Sequence, residues 1–204
     1  MVMAALLAAI TIGATACSGQ TGSAVAPTVS ATTGTAASSG ASSKTASAAQ
    51  DGVLGRSTPV RLQIASIGVD TTLMSLGLRS DGSMQVPTGG FPAGWYSGGP
   101  TPGELGPAVI AGHVDMKGPG VFYKLHDVKA GDQVTVTRAD GSKPVFRVTG
   151  VGQYLKDQFP TKLVYGNINH SGLRLITCGG TFNSQSGHYE DNLVVFADLV
   201  ATTP

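Results

Sequence analysis

An all-β domain, a barrel or sandwich of about eight short strands, is the fold class the sequence predicts. Three observations carry that expectation. Only 12% of the 204 residues are charged, while 29 are glycine and 11 are proline. Such a composition favours turns and short strands over long helices with polar faces. Apolar residues alternate in short bursts around turn sequences, as in QVTVTRADGSKPVFRV (133–148), which reads as a hairpin about ADGS. Finally, neither an internal repeat nor the strand–helix alternation of a parallel α/β sheet is visible along the chain.

The elements follow in order. PVRLQIASIGVDTTLMSLGL (59–78) reads as strands broken at SIGV, and DGSM (81–84) is a turn. Residues 89–107 form a long Gly/Pro-rich loop that carries Trp95, the single tryptophan. AVIAGH (108–113) is a buried strand ending on a histidine. VFYKLHDV (121–128) suits one or two helical turns, and FPTKLVYG (159–166) a short helix. LRLITC (173–178) and NLVVFADLV (192–200) close the fold as strands.

Two appendages precede the folded part. Residues 1–17, MVMAALLAAITIGATAC, form an apolar run of signal-peptide length, shorter than the ~20 residues that span a bilayer comfortably. The residues ATAC before Ser18 resemble a bacterial lipobox, which makes Cys17 a lipidation candidate. An uncleaved anchor and a cleaved signal are the alternatives, and all three export the protein. Residues 18–58 are a Ser/Thr/Ala/Gly-rich tether, too poor in large apolar side chains to offset its ordering entropy. The folded domain is 59–204. With 13 basic against 12 acidic residues, the chain has no electrostatic reason to seek nucleic acid. Its expected link to a membrane is the N-terminal anchor or lipid, which places the domain at the cell surface.

The chemistry turns on Cys178, which ends LRLITC just before two glycines. A strand cysteine is commonly an inert small hydrophobe. Of the four histidines, only His113 shares its setting, at the end of a buried strand beside a glycine. Strand ends feeding glycine-containing loops expose reactive groups without opening a core. A thiol of pKa near ~8.5 and an imidazole near ~6.5 leave little thiolate at neutral pH, so such a pair needs a third group to support negative charge. Period-two alternation puts Cys178, Ile176 and Arg174 on one face of the strand and Thr177, Leu175 and Leu173 on the other. Two pleats separate Arg174 from Cys178 by about 13 Å, within the reach of a long side chain. Arg174 is therefore the candidate for holding a substrate carbonyl or an oxyanion; the alternative is an edge arginine with its head in solvent.

AVIAGHVD and LRLITCGGTFNSQSGHYEDNLVVFA together resemble the two active-site strands of the sortase family, most closely class F sortases of high-GC Gram-positive bacteria. The resemblance spans about residues 59–200. It implies a closed eight-stranded β-barrel and a cysteine transpeptidase that needs no cofactor. By that match Cys178 is the nucleophile and His113 the general acid. The substrate would be an LPXTG-type sorting signal of exported proteins, cut between Thr and Gly through a thioester. An amine, such as a peptidoglycan precursor, would then take the acyl group. Ile176 and Thr177, and Trp95 with Tyr96 in the loop before the histidine strand, are candidates to contact the peptide; Trp95 is alternatively the loop's anchor.

One departure stands out. Where many sortases begin the last strand with a catalytic arginine, this chain has Asp191 and Asn192, and no arginine follows Arg174. Two further readings keep the fold: a peptidase that resolves the thioester with water, and a module that binds the peptide without cleaving it. Asp115 either orients His113 or starts a turn. His188 belongs to a connecting loop, while His126 and His170 are surface groups. No His or Cys pair has metal-ligand spacing, so no metal is expected.

Overall fold

The computed structural model of the chain describes residues 52–204. The expected export segment, Cys17 and most of the tether lie outside the described residues. Eight strands appear: β1 (Pro59–Ile64), β2 (Val69–Leu76), β3 (Ala93–Tyr96), β4 (Gly106–Ala111), β5 (Gln133–Arg138), β6 (Lys143–Leu155), β7 (Ser171–Asn183) and β8 (His188–Thr203). They close a barrel in the order β1-β2-β3-β4-β7-β8-β6-β5. The hairpin about ADGS is β5–β6, and the expected short helix is α1 (Thr161–Tyr165). Residues 121–128 hold only a 3₁₀ turn, Leu125–Asp127. Among the described residues, no helix is long and apolar enough to cross a membrane.

Most neighbouring strands are antiparallel, but β2–β3 and β4–β7 are parallel pairs. Parallel neighbours need long crossovers. The crossover from β2 to β3 carries residues 77–92, and that from β4 to β7 contains the β5–β6 hairpin and α1. Inside the barrel, Leu62, Ile64, Ile110, Phe122, Phe146, Leu173, Leu175 and Val195 form a continuous core. Alternation sends the other face of β4, β7 and β8 outward, where Val109, Ile176 and Val194 meet Val164 of α1 in a second cluster. This outer cluster gives the barrel wall an apolar floor on which a groove can be built.

The segment after β4 is anchored through Phe122. Its ring is fully buried, and its amide donates to the His113 carbonyl at 3.0 Å. Gly112 lies so close to Phe122 that an added Cβ would meet the ring at 2.6 Å. Phe122→Ala should therefore destabilise the domain by about 3–5 kcal/mol, the range for removing a buried phenyl ring, as measured by urea unfolding.

Candidate active site

The parallel register of β4 and β7 sets the site. Ala111 pairs with Ile176, and the Gly112 amide extends the ladder by donating to the Ile176 carbonyl at 3.0 Å. His113 and Cys178 each lie two residues beyond that pair, His113 just past the end of β4 and Cys178 within β7, so the two come to the same height along the wall. Both are partly exposed, and both line a groove of ≈ 840 Å³ on the outer face of the barrel. Cys178 is a free thiol.

His113 is held from two sides. Its Nε2 lies 2.8 Å from the Pro87 carbonyl oxygen. A carbonyl can only accept, so Nε2 carries a proton and Nδ1 is the nitrogen left for exchange. Behind the backbone, Gly120 approaches so closely that an added Cβ would meet the His113 carbonyl oxygen at 2.3 Å. Asp115 does not serve the imidazole. The Tyr189 hydroxyl donates to its Oδ2 at 2.6 Å, tying the loop after His113 to the β7–β8 hairpin. That hydrogen bond is the main reason the Tyr189 pKa is raised above its ordinary value.

The groove walls are apolar, with Leu78, Met84, Tyr96, Phe159, Tyr165 and Ile176 among their residues. Thr177 also lines the groove, and it is 4% exposed with its hydroxyl unpartnered. Trp95 does not take part. Neighbouring residues of β3 point to opposite sides, so Tyr96 faces the groove and Trp95 faces the core. Trp95 is 5% exposed and donates its Nε1–H to the Pro100 carbonyl at 3.3 Å, so it is the loop's anchor and not a groove residue.

Arg174 corrects a second expectation. It shares the outward face of β7 with Cys178, but its guanidinium turns the other way. Nη1 donates to the Leu173 carbonyl at 3.1 Å, and the head stacks 4.9 Å from the centre of the Phe196 ring. Burial lowers its pKa, partly offset by Asp198. It lines a separate, shallower cavity of ≈ 460 Å³ with His170 and Asp198. The face was predictable from alternation; the direction of the side chain was set by an aromatic on the next strand.

One residue beside the thiol was noted in the sequence only as the place of a missing arginine, and a lysine of the same groove was not singled out at all. Asn192 is the cross-strand partner of Cys178, and Tyr154 is the partner of Asn192 on β6. Two residues past Tyr154, Lys156 reaches the same groove and is its single Lys or Arg. The position of Asn192 was visible in the sequence as a missing arginine, whereas Pro87 and Lys156 gave no signal at all. His188 is exposed in the β7–β8 hairpin, His126 lies 3.4 Å from Asp127, and His170 lies 3.0 Å from Asp198. None of the three lines this groove. Among the described residues, no cluster of His, Cys, Asp or Glu could hold a metal ion.

The fold has close relatives among solved structures. A lid mutant of sortase A from Corynebacterium diphtheriae aligns with a TM-score of 0.57 at 24% identity, covering 74% of each chain. The sortase A from Corynebacterium diphtheriae gives 0.56 at 23%, covering 74% of this chain and 64% of that one. Streptococcus agalactiae sortase C1 gives 0.55 at 20%, covering 70% and 66%. A comparison with curated proteins finds no match. The sortase domain family matches residues 62–200, most of the chain, and its barrel is the one described above. The chain belongs to the sortase family of cysteine transpeptidases.

Proposed function

We propose that this protein is a surface-tethered transpeptidase that cleaves an LPXTG-type signal between Thr and Gly and transfers the acyl group to an amine. The observation that carries the reading is the level placement of Cys178 and His113 over one apolar groove. The thiolate attacks the threonine carbonyl carbon, forming a C–S bond. His113 gives the proton at Nδ1 to the departing glycine nitrogen as the C–N bond breaks. An incoming amine then attacks the thioester, yields its proton to His113 and releases the thiolate. The apolar walls suit the leucine and proline of such a signal.

Charge on the tetrahedral intermediate falls to the groups beside the thiol. The Asn192 amide is a neutral donor one strand away, and the Lys156 ammonium adds positive charge along the same wall. Arg174 has no part in this scheme, because its head is committed to Phe196 and Leu173.

Mass spectrometry of the chain incubated with an LPXTG-type peptide, alone and with a primary amine, tests the reading. A thioester on Cys178 that the amine discharges into a ligated product is the expected result. An adduct that only hydrolyses, even with amine present, would make the protein a peptidase; binding without an adduct would make it a peptide-binding module. Under the same assay Cys178→Ala should form no adduct, and His113→Ala should lose about 10²–10⁴-fold in turnover. Asn192→Ala should lose on the order of 10²-fold in kcat, whereas Arg174→Met should fall well short of that loss. Equal losses from those two variants would return Arg174 to the site.

A further inference from the structure

The residues just before the barrel are not part of a free tether. Leu54 donates its amide to the Gly103 carbonyl at 2.8 Å, and the Ser57 amide reaches Thr101 Oγ1 at 3.3 Å. The buried Arg138 guanidinium donates to the Gly55 carbonyl from below. The domain boundary therefore lies before Pro59, and this short segment grips two places, the β5–β6 turn at Arg138–Asp140 and the loop of residues 97–104.

Arg56 makes the grip specific. Its Nη2 donates to the Ser97 carbonyl at 3.0 Å and its Nη1 to the Gly99 carbonyl at 3.1 Å. Nη1 also lies 3.3 Å from Glu104 Oε2, and the guanidinium sits 5.7 Å from the centre of the Trp95 ring. The same Glu104 oxygen accepts from the Thr101 hydroxyl at 2.8 Å. One planar fork thus joins both ends of the loop and the aromatic at its root. A lysine ammonium, which lacks the fork and stacks less well, could not make this set of contacts.

The opposite side of that loop is the groove. Gly98, Gly99 and Pro100 line it beside Tyr96. A Cβ on Gly98 would meet the Tyr96 hydroxyl at 2.6 Å, and one on Gly99 would meet its ring at 3.3 Å, so the tyrosine lies flat against the glycines. Two successive glycines lose more conformational freedom on ordering than other residues. Their fixed shape needs an outside restraint, and the two carbonyls that bracket Gly98 are the ones Arg56 holds.

We propose that Arg56 is a positioning residue: it clasps loop 97–104 from behind and so shapes the groove wall, including Tyr96, against which the substrate peptide packs. Assigning the groove to a peptide rests on the function proposed above; the clasp itself does not. Because Arg56 is exposed, its loss should hardly alter global stability.

The test compares the full chain with its Arg56→Ala and Arg56→Lys variants. For Arg56→Ala, the KM for an LPXTG-type peptide should rise about five- to tenfold with kcat within about twofold, as expected when a binding wall loosens and the reacting groups stay in place. Alkylation of Cys178 by iodoacetamide should keep its rate, and Arg56→Lys should recover only part of the KM. Two readouts need no turnover: acrylamide quenching of Trp95, the single tryptophan, and hydrogen exchange of amides 97–104. Both should increase in Arg56→Ala. An unchanged KM, or a kcat and alkylation rate that fall with it, would overturn the proposal. If the native chain turns over no peptide, the transpeptidase reading fails by itself, and unchanged quenching and exchange would then overturn the clasp.

Discussion

The parallel pairing of β4 with β7 is the constraint on which the rest of the site depends. A parallel ladder fixes the relative height of two strands, and here β4 stops at Ala111, level with Ile176, while β7 runs on past Cys178 to Asn183. The Gly112–Ile176 hydrogen bond is its last rung. Because it lies one residue short of His113 and two short of Cys178, small errors in loop geometry beyond it cannot greatly separate the two side chains. The long crossover from β4 to β7 follows from the same pairing, since parallel neighbours cannot be joined by a tight turn. That crossover then supplies α1, whose Val164 covers the outer apolar cluster, and Phe159 and Tyr165, which wall the groove.

The barrel divides its side chains by alternation, and the division is uneven around the wall. Most outward positions meet water, but Val109, Ile176 and Val194 do not. They form a second apolar layer under α1, so the stretch of wall next to Cys178, at Ile176 and Val194, is covered on both sides. In such a setting a neutral amide such as that of Asn192 acts on a nearby charge with less screening than it would in water. The same cover acts on Arg174. Buried with no carboxylate in direct contact, it rests on a ring face and a backbone carbonyl, with Nε left unpartnered, and this takes it away from the thiol.

Much of this was legible in the sequence, for identifiable reasons. Strand count, the ADGS hairpin and the outward face of Cys178 all follow from period two and turn chemistry, which are local. The pairing of His113 with Cys178 was legible because each residue ends an apolar strand beside glycine. What was not legible depends on neighbours far away in the chain. The direction of Arg174 is set by Phe196, the inward turn of Trp95 by the register of β3, and the proton on His113 by a carbonyl 26 residues upstream. The docking of residues 54–57 was hidden for the same reason: its partners lie in a loop some forty residues on and in the β5–β6 turn 83 residues on, and its own composition is that of a linker.

Closure of the barrel has a consequence for how any extended peptide can be held. Many proteins capture such chains by letting them join a sheet as one more strand, so that backbone hydrogen bonds supply affinity with little regard to side chains. In this wall β4 and β8, and β7 as far as Ile176, have a paired neighbour on both sides, so any such berth is confined to the short stretch of β7 beyond the end of β4. Along the rest of the groove a chain is read by its side chains and by loops, one pocket at a time. Discrimination among peptides is thereby delegated to the crossovers, which can vary in length and sequence while the two strands that carry the chemistry stay as they are.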